Sequence, residues 1–78
     1  MTVQQKRAEL YKIAKRIEDA KERRIDAEKQ MSEKHISYAR LVRLSDRRAD
    51  ALASEETNCR LWDELFDEIC NDELEAVA

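Results

Sequence analysis

Not one glycine or proline occurs in the 78 residues of this chain. Tight turns, strand bends and phosphate-cradling loops rely on one or the other, because glycine reaches positive φ at no steric cost and proline pre-sets its own φ. A chain without either is steered towards long helices joined by few, plain connections. The remaining composition agrees: 42% of the residues are charged, and Ala, Leu, Glu, Lys and Arg dominate, as in helical and coiled-coil sequences. No strand is expected. A chain of this length buries only about 60% of the surface it exposes when unfolded, so the expectation is one all-helical domain, residues 1–78, with a thin core.

Thr2 and Gln5 form a T-x-x-Q capping box, the signature of a helix start. The helix it opens carries Val3, Leu10, Ile13, Ile17 and Ala20 at steps of three and four, the spacing that places apolar side chains on one face. One heptad line runs on from Val3, Leu10 and Ile17 through Arg24, Met31, Tyr38, Ser45 and Leu52, and a second from Ile13 and Ala20 through Ala27, Lys34, Leu41, Arg48 and Glu55. Because that phase never slips and no glycine interrupts it, the pattern predicts a long N-terminal helix over about residues 3–53. Its middle, from Lys21 to Lys34, has a poor seam. Local pairs such as Asp19 with Arg23, Arg24 with Glu28 and Lys29 with Glu33 are expected to lace it, each worth about 0.2–0.5 kcal/mol.

The cluster Ser54, Thr57 and Asn58 marks a reversal, after which a C-terminal amphipathic helix, about residues 56–76, folds back as the second arm of a helical hairpin. The alternative is a three-helix bundle with a further break near residues 31–37, where Ser32 followed by Glu33 has the look of a cap. Cys59, Trp62, Phe66, Ile69 and Cys70 share one helical sector, with Leu65 at its edge. Leu41, Leu52, Trp62, Leu65, Phe66 and Ile69 are therefore expected to form the scaffold. From Ile36 to Ala53 apolar residues cover more than one face, which predicts two neighbours for that segment.

Charge is divided unevenly along the chain. Residues 1–53 hold 14 Lys and Arg against 9 Asp and Glu, whereas residues 54–78 hold 1 against 9. The basic and acidic parts are expected to attract each other. The same asymmetry supplies the candidate partner-binding residues: Lys12, Lys15, Arg16, Arg23 and Arg24 on the N-terminal helix, Arg40, Arg43 and Arg47 beyond it, and the acidic row Asp63, Glu64, Asp67 and Glu68. Arginine presents a rigid fork to carboxylates and phosphates, so the cluster Arg40–Arg48 is a candidate contact for either. The acidic row could itself imitate a row of phosphates.

Catalytic equipment is sparse. The chain has one histidine, His35, and Cys59 and Cys70 stand eleven residues apart, too far to share a metal as a C-x2-C pair does. No catalytic, cofactor-binding or metal-binding residue is assigned, no cofactor is implied, and no enzymatic activity is expected. No apolar run approaches the roughly 18 residues of a membrane span, and the N-terminus lacks the apolar core of a secretory signal. These features predict a cytoplasmic protein without a membrane partner.

The expectation for function is a small non-enzymatic helical interaction protein, homodimeric, that binds and modulates, or inhibits, another protein through charged helix faces. The alternative is a nucleic-acid-binding regulator using the basic N-terminal helix and the Arg40–Arg48 cluster. Against it, Glu9, Glu18, Asp19 and Glu22 interrupt the basic row, and Tyr11 alone interleaves it with an aromatic ring. The architecture is akin to that of small plasmid- or phage-borne regulators, an analogy of shape that fixes no function.

Overall fold

The capping box is formed as the sequence requires. Thr2 Oγ1 accepts from the Gln5 backbone N–H at 3.2 Å, and Gln5 Oε1 accepts from the Thr2 N–H at 2.9 Å, which satisfies two donors that a helix start leaves unpaired. From there helix α1 runs over Val3–Met31 and helix α2 over Tyr38–Val77. The computed structural model describes residues 1–77, and among these there is no strand. The two helices lie antiparallel as an all-α helical hairpin, a rod of 62 × 16 × 14 Å.

The hairpin and its long N-terminal helix are as the sequence predicts, but the reversal lies where the three-helix alternative put its break, near residues 31–37, and not near 53–58. It occupies residues 32–37, so that α1 ends at Met31 rather than near 53, and no separate helix begins near 56. Two local causes account for this. Ser32 closes α1: its N–H reaches the Lys29 and Gln30 carbonyls, and its Oγ donates to the Glu28 carbonyl at 3.1 Å. Ser37 then opens α2, its Oγ accepting from the Arg40 N–H at 3.3 Å and its carbonyl from the Leu41 N–H at 2.9 Å. No residue in this turn has positive φ, so it needs no glycine. At the position expected for the turn, Asn58 spends its amide inside the helix, donating to the Ser54 carbonyl at 2.8 Å and the Ser54 Oγ at 3.3 Å. Side chains that commonly start a turn here brace a helix, and α2 continues.

The heptad of α1 is its buried seam. Val3, Lys6, Leu10, Ile13, Ile17, Ala20, Arg24, Ala27 and Met31 are all buried or half-buried. In α2 one of the two predicted lines keeps Leu41 and Glu55 half-buried, although Arg48 between them is exposed, and its continuation meets half-buried Trp62 and buried Ile69. The other is displaced: Leu44, Ala51, Asn58, Leu65 and Asp72 face inwards, whereas Tyr38 is 82% exposed and Ser45 is exposed. The six-residue turn re-phases the second helix relative to the first. Ion pairs fix the register, for Lys6 meets Asp72 and Arg24 meets Glu55. An advance of eighteen residues on α1 thus matches a retreat of seventeen on α2, as two antiparallel helices of equal rise demand.

The core is thin. Among the described residues its buried apolar side chains are Ile13, Ala20, Ala27, Leu44, Ala51 and Ile69, and three of these six are alanines, whose burial contributes least. Of the expected scaffold residues Ile69 is buried. Leu41, Leu52, Trp62 and Leu65 are half-buried. Phe66 departs from the scaffold expectation: it is 44% exposed, because the seam of α2 runs through Leu65 and Ile69 and leaves the next position on the flank.

Candidate interaction surfaces

The hairpin has a polar middle and two unlike broad faces. In the middle, seam position Arg24 donates through Nε to Glu55 Oε2 at 3.0 Å and through Nη1 to Glu28 Oε1 at 3.2 Å, while Arg48 Nε donates to the same Glu28 oxygen at 2.9 Å. The hydrogen bond from Arg48, helped by that from Arg24, holds the Glu28 carboxyl below its ordinary pKa against the opposing effect of desolvation. The bonds to Glu55 and then Glu28 raise the Arg24 guanidinium above its usual value. Two arginines and two carboxylates therefore neutralise one another across the helix pair. At the open end Lys6 Nζ lies 2.5 Å from Asp72 Oδ2, a contact that raises the lysine pKa, and Arg7 pairs with Glu73. At the turn Arg40 reaches Glu33 at 3.3 Å and Gln30 at 3.2 Å.

Several candidate cations are thus committed within the molecule. Arg24, Arg40 and Arg48 are paired, and of the three predicted local pairs Arg24–Glu28 forms. Among the described residues Asp19–Arg23 and Lys29–Glu33 do not form, Glu33 turning to Arg40 instead. Lys12, Lys15, Arg16, Arg23, Arg43 and Arg47 are exposed, as are Asp63, Glu64, Asp67 and Glu68.

One broad face of the hairpin gathers many of these. Arg23, Asp26 and Gln30 from α1 and Arg47 and Asp50 from α2 line an open groove of about 370 Å³ floored by Ala27, Leu44 and Ala51. Nearer the open end, Glu9 and Arg16 face Glu64 and Glu68 across a second groove of about 290 Å³ that Leu61 and Leu65 also line. The heptad positions of Lys12 and Arg43 place them on this face too. Lys15 and Asp67 lie on the outer backs of their helices, and Asp63 lies towards the other face.

That other face carries, beside exposed Glu18, Lys21, Glu56 and Asp63, an apolar stripe that the sequence reading missed. Phe66 stacks on Trp62 with ring centroids 5.0 Å apart and planes within 8°. Along α2 the positions flanking the seam carry Val42, Ala49, Leu52, Cys59, Phe66 and Cys70, of which Leu52 and Cys70 are half-buried and the rest exposed. Beside them on α1 stand Tyr11, 77% exposed, Ala14 and Ile25. Tyr11, Ala14, Lys15 and Glu18 bound a depression of about 430 Å³. The signal for this stripe was present in the wide apolar surface after Ile36, which called for two neighbours. The hairpin provides one.

Cys59 and Cys70 are free thiols, and no group of ligands suited to a metal ion occurs among the described residues. His35 is exposed in the turn. Among the described residues no helix is long and apolar enough to cross a membrane. Compared with family models, curated proteins and solved structures, the chain matches none.

Proposed function

We propose that this chain is a non-enzymatic interaction protein, dimeric, that binds and modulates a protein partner through its charged face. The observation that carries this reading is the segregation of the two broad faces along a 62 Å rod. Arg16, Arg23, Arg47, Glu64 and Glu68 edge grooves on one side, and exposed Tyr11 and Phe66 mark the other. A surface that mixes both charge signs discriminates between partner proteins, because each misplaced like-charge contact is penalised. Nucleic acid would favour an uninterrupted row of free cations. Here Lys6, Arg7, Arg24, Arg40 and Arg48 are already held by carboxylates, which supports the protein reading over the nucleic-acid alternative. Free thiols at Cys59 and Cys70 suit the reducing cytoplasm.

Comparative capture from host extract tests the proposal. Wild-type bait is run beside a charge-reversed bait, Arg16→Glu/Arg23→Glu/Arg47→Glu, and any protein lost with the second is purified and titrated against the first by calorimetry. Saturable binding that the reversal weakens at least tenfold supports the reading. Binding instead to duplex or single-stranded nucleic acid, with affinity falling steeply between 50 and 200 mM salt, as about 0.9 log units per log unit of salt for each phosphate contacted on a duplex, would replace it with the alternative.

A further inference from the structure

We infer that the face bearing the apolar stripe is covered by a second copy of this chain, with α2 of each hairpin lying on α1 of the other in an antiparallel four-helix bundle. The inference rests on the dimeric part of the functional reading and assigns it an interface. A hairpin whose enclosed core is half alanine, whose thiols are free and whose described residues offer no metal-ligand group lacks the usual staples of a small fold. Association is a further staple that such folds use. The face available outlines 62 by 16 Å, at most about 1000 Å², which compares with the roughly 800 Å² per partner of a standard stable interface.

Charge selects which helices meet. Helix α1 carries 9 Lys and Arg against 6 Asp and Glu, a net of +3, while α2 carries 5 against 11, a net of −6. Setting α2 on its own copy would oppose Glu56 and Asp63 to the same acids. Setting it on α1 of the second copy brings those acids to the level of Lys21. A twofold axis parallel to the rod achieves this, places both turns at one end and makes every adjacent helix pair antiparallel.

The same axis gives Phe66 a seat. Arg7 is level with Glu73, as their ion pair shows, so one heptad further along each helix Ala14 is level with Phe66. The Phe66 ring, braced by its stack on Trp62, then points at the other copy's depression between Tyr11, Ala14 and Glu18. Two such knobs enter two such holes.

Light scattering and sedimentation of the full chain at micromolar concentration test the inference, with a mass of twice 9.2 kDa expected. Phe66→Asp and, separately, Tyr11→Asp should each raise the dimer dissociation constant at least about a hundredfold, since each change acts twice per dimer. Helix packing is read by carbodiimide cross-linking of a dimer mixed from ¹⁵N and unlabelled chains. Every lysine of the sequence precedes α2, so mixed-isotope links from Lys21 to Glu56 or Asp63 report α1 against α2. A folded monomer would overturn both this inference and the dimeric reading. A dimer that neither aspartate variant weakens, or whose mixed links from Lys21 run only to acids of α1, would overturn the inference and leave that reading standing.

Discussion

Arg24 occupies a seam position of α1 yet holds Glu55 of α2 at 3.0 Å, so an ion pair stands where a heptad normally places a leucine. Such pairs seldom add stability over a well-packed apolar contact, because desolvation offsets most of the attraction. What they supply is register, since a displaced neighbour leaves both charges unmatched. Arg24→Ala is expected to lower the thermal midpoint of helical circular dichroism, because Glu55 and Glu28 lose a shared partner. Arg24→Leu/Glu55→Leu is expected to melt at or above wild type while populating more than one oligomer by sedimentation. A double variant that melts below wild type would show the network to be net stabilising.

How much of this was legible beforehand depended on whether a signal was local. The Thr2 box, the α1 seam through Ile13, Ala20 and Ala27, and the attraction of basic and acidic ends were all legible, because capping, periodicity and charge act over a few residues or over whole segments. The turn was not. Ser54, Thr57 and Asn58 have turn chemistry, and only the helix itself shows Asn58 bonded to Ser54. Phe66 was misplaced for a related reason: its sector is the most apolar of α2, but a six-residue turn sets which sector meets α1, and periodicity carries no information about that rotation.

The Glu28 carboxylate should make the hairpin acid-sensitive. Its pKa in the fold is depressed by Arg48 and Arg24, so the associated stability is fully present above the ordinary carboxylate pKa and is lost as pH falls through the depressed value. Melting midpoints measured from pH 7 to pH 2 at fixed protein concentration should fall across the carboxylate range. Glu28→Gln should melt lower than wild type at pH 7 and approach it at pH 2. Lys6 has the opposite sign. Its raised pKa gives stability that is fully present below the ordinary lysine value and lost as pH climbs through the raised one, a dependence that Lys6→Met should abolish.

Close approach of the helices depends on Ala20, which is wholly enclosed at 0% exposure. A larger side chain there has no space and must push α2 away, at a cost of about 1–3 kcal/mol for overpacking. Ala20→Leu should lower the melting midpoint by roughly 4–8 °C for each kcal/mol lost in a domain of this size. The same change at exposed Ala53 should leave it within about 2 °C, since surface substitutions are usually near neutral. Equal effects at the two sites would mean that the helices are not in contact at Ala20.

The reversal itself can be weakened at a single atom. Ser37 Oγ takes the Arg40 N–H at the first turn of α2, and removing a capping hydroxyl costs about 1 kcal/mol. Ser37→Ala should therefore lower the midpoint by roughly 4–8 °C, whereas Ser37→Asp, which keeps an acceptor and adds a charge favourable to the helix start, should match or exceed wild type. Ser54→Ala provides the contrast, since Asn58 still has the Ser54 carbonyl and alanine is the best helix former. If α2 is continuous through this point, that substitution raises helicity or leaves it unchanged. A drop larger than that of Ser37→Ala would return the turn to residues 53–58.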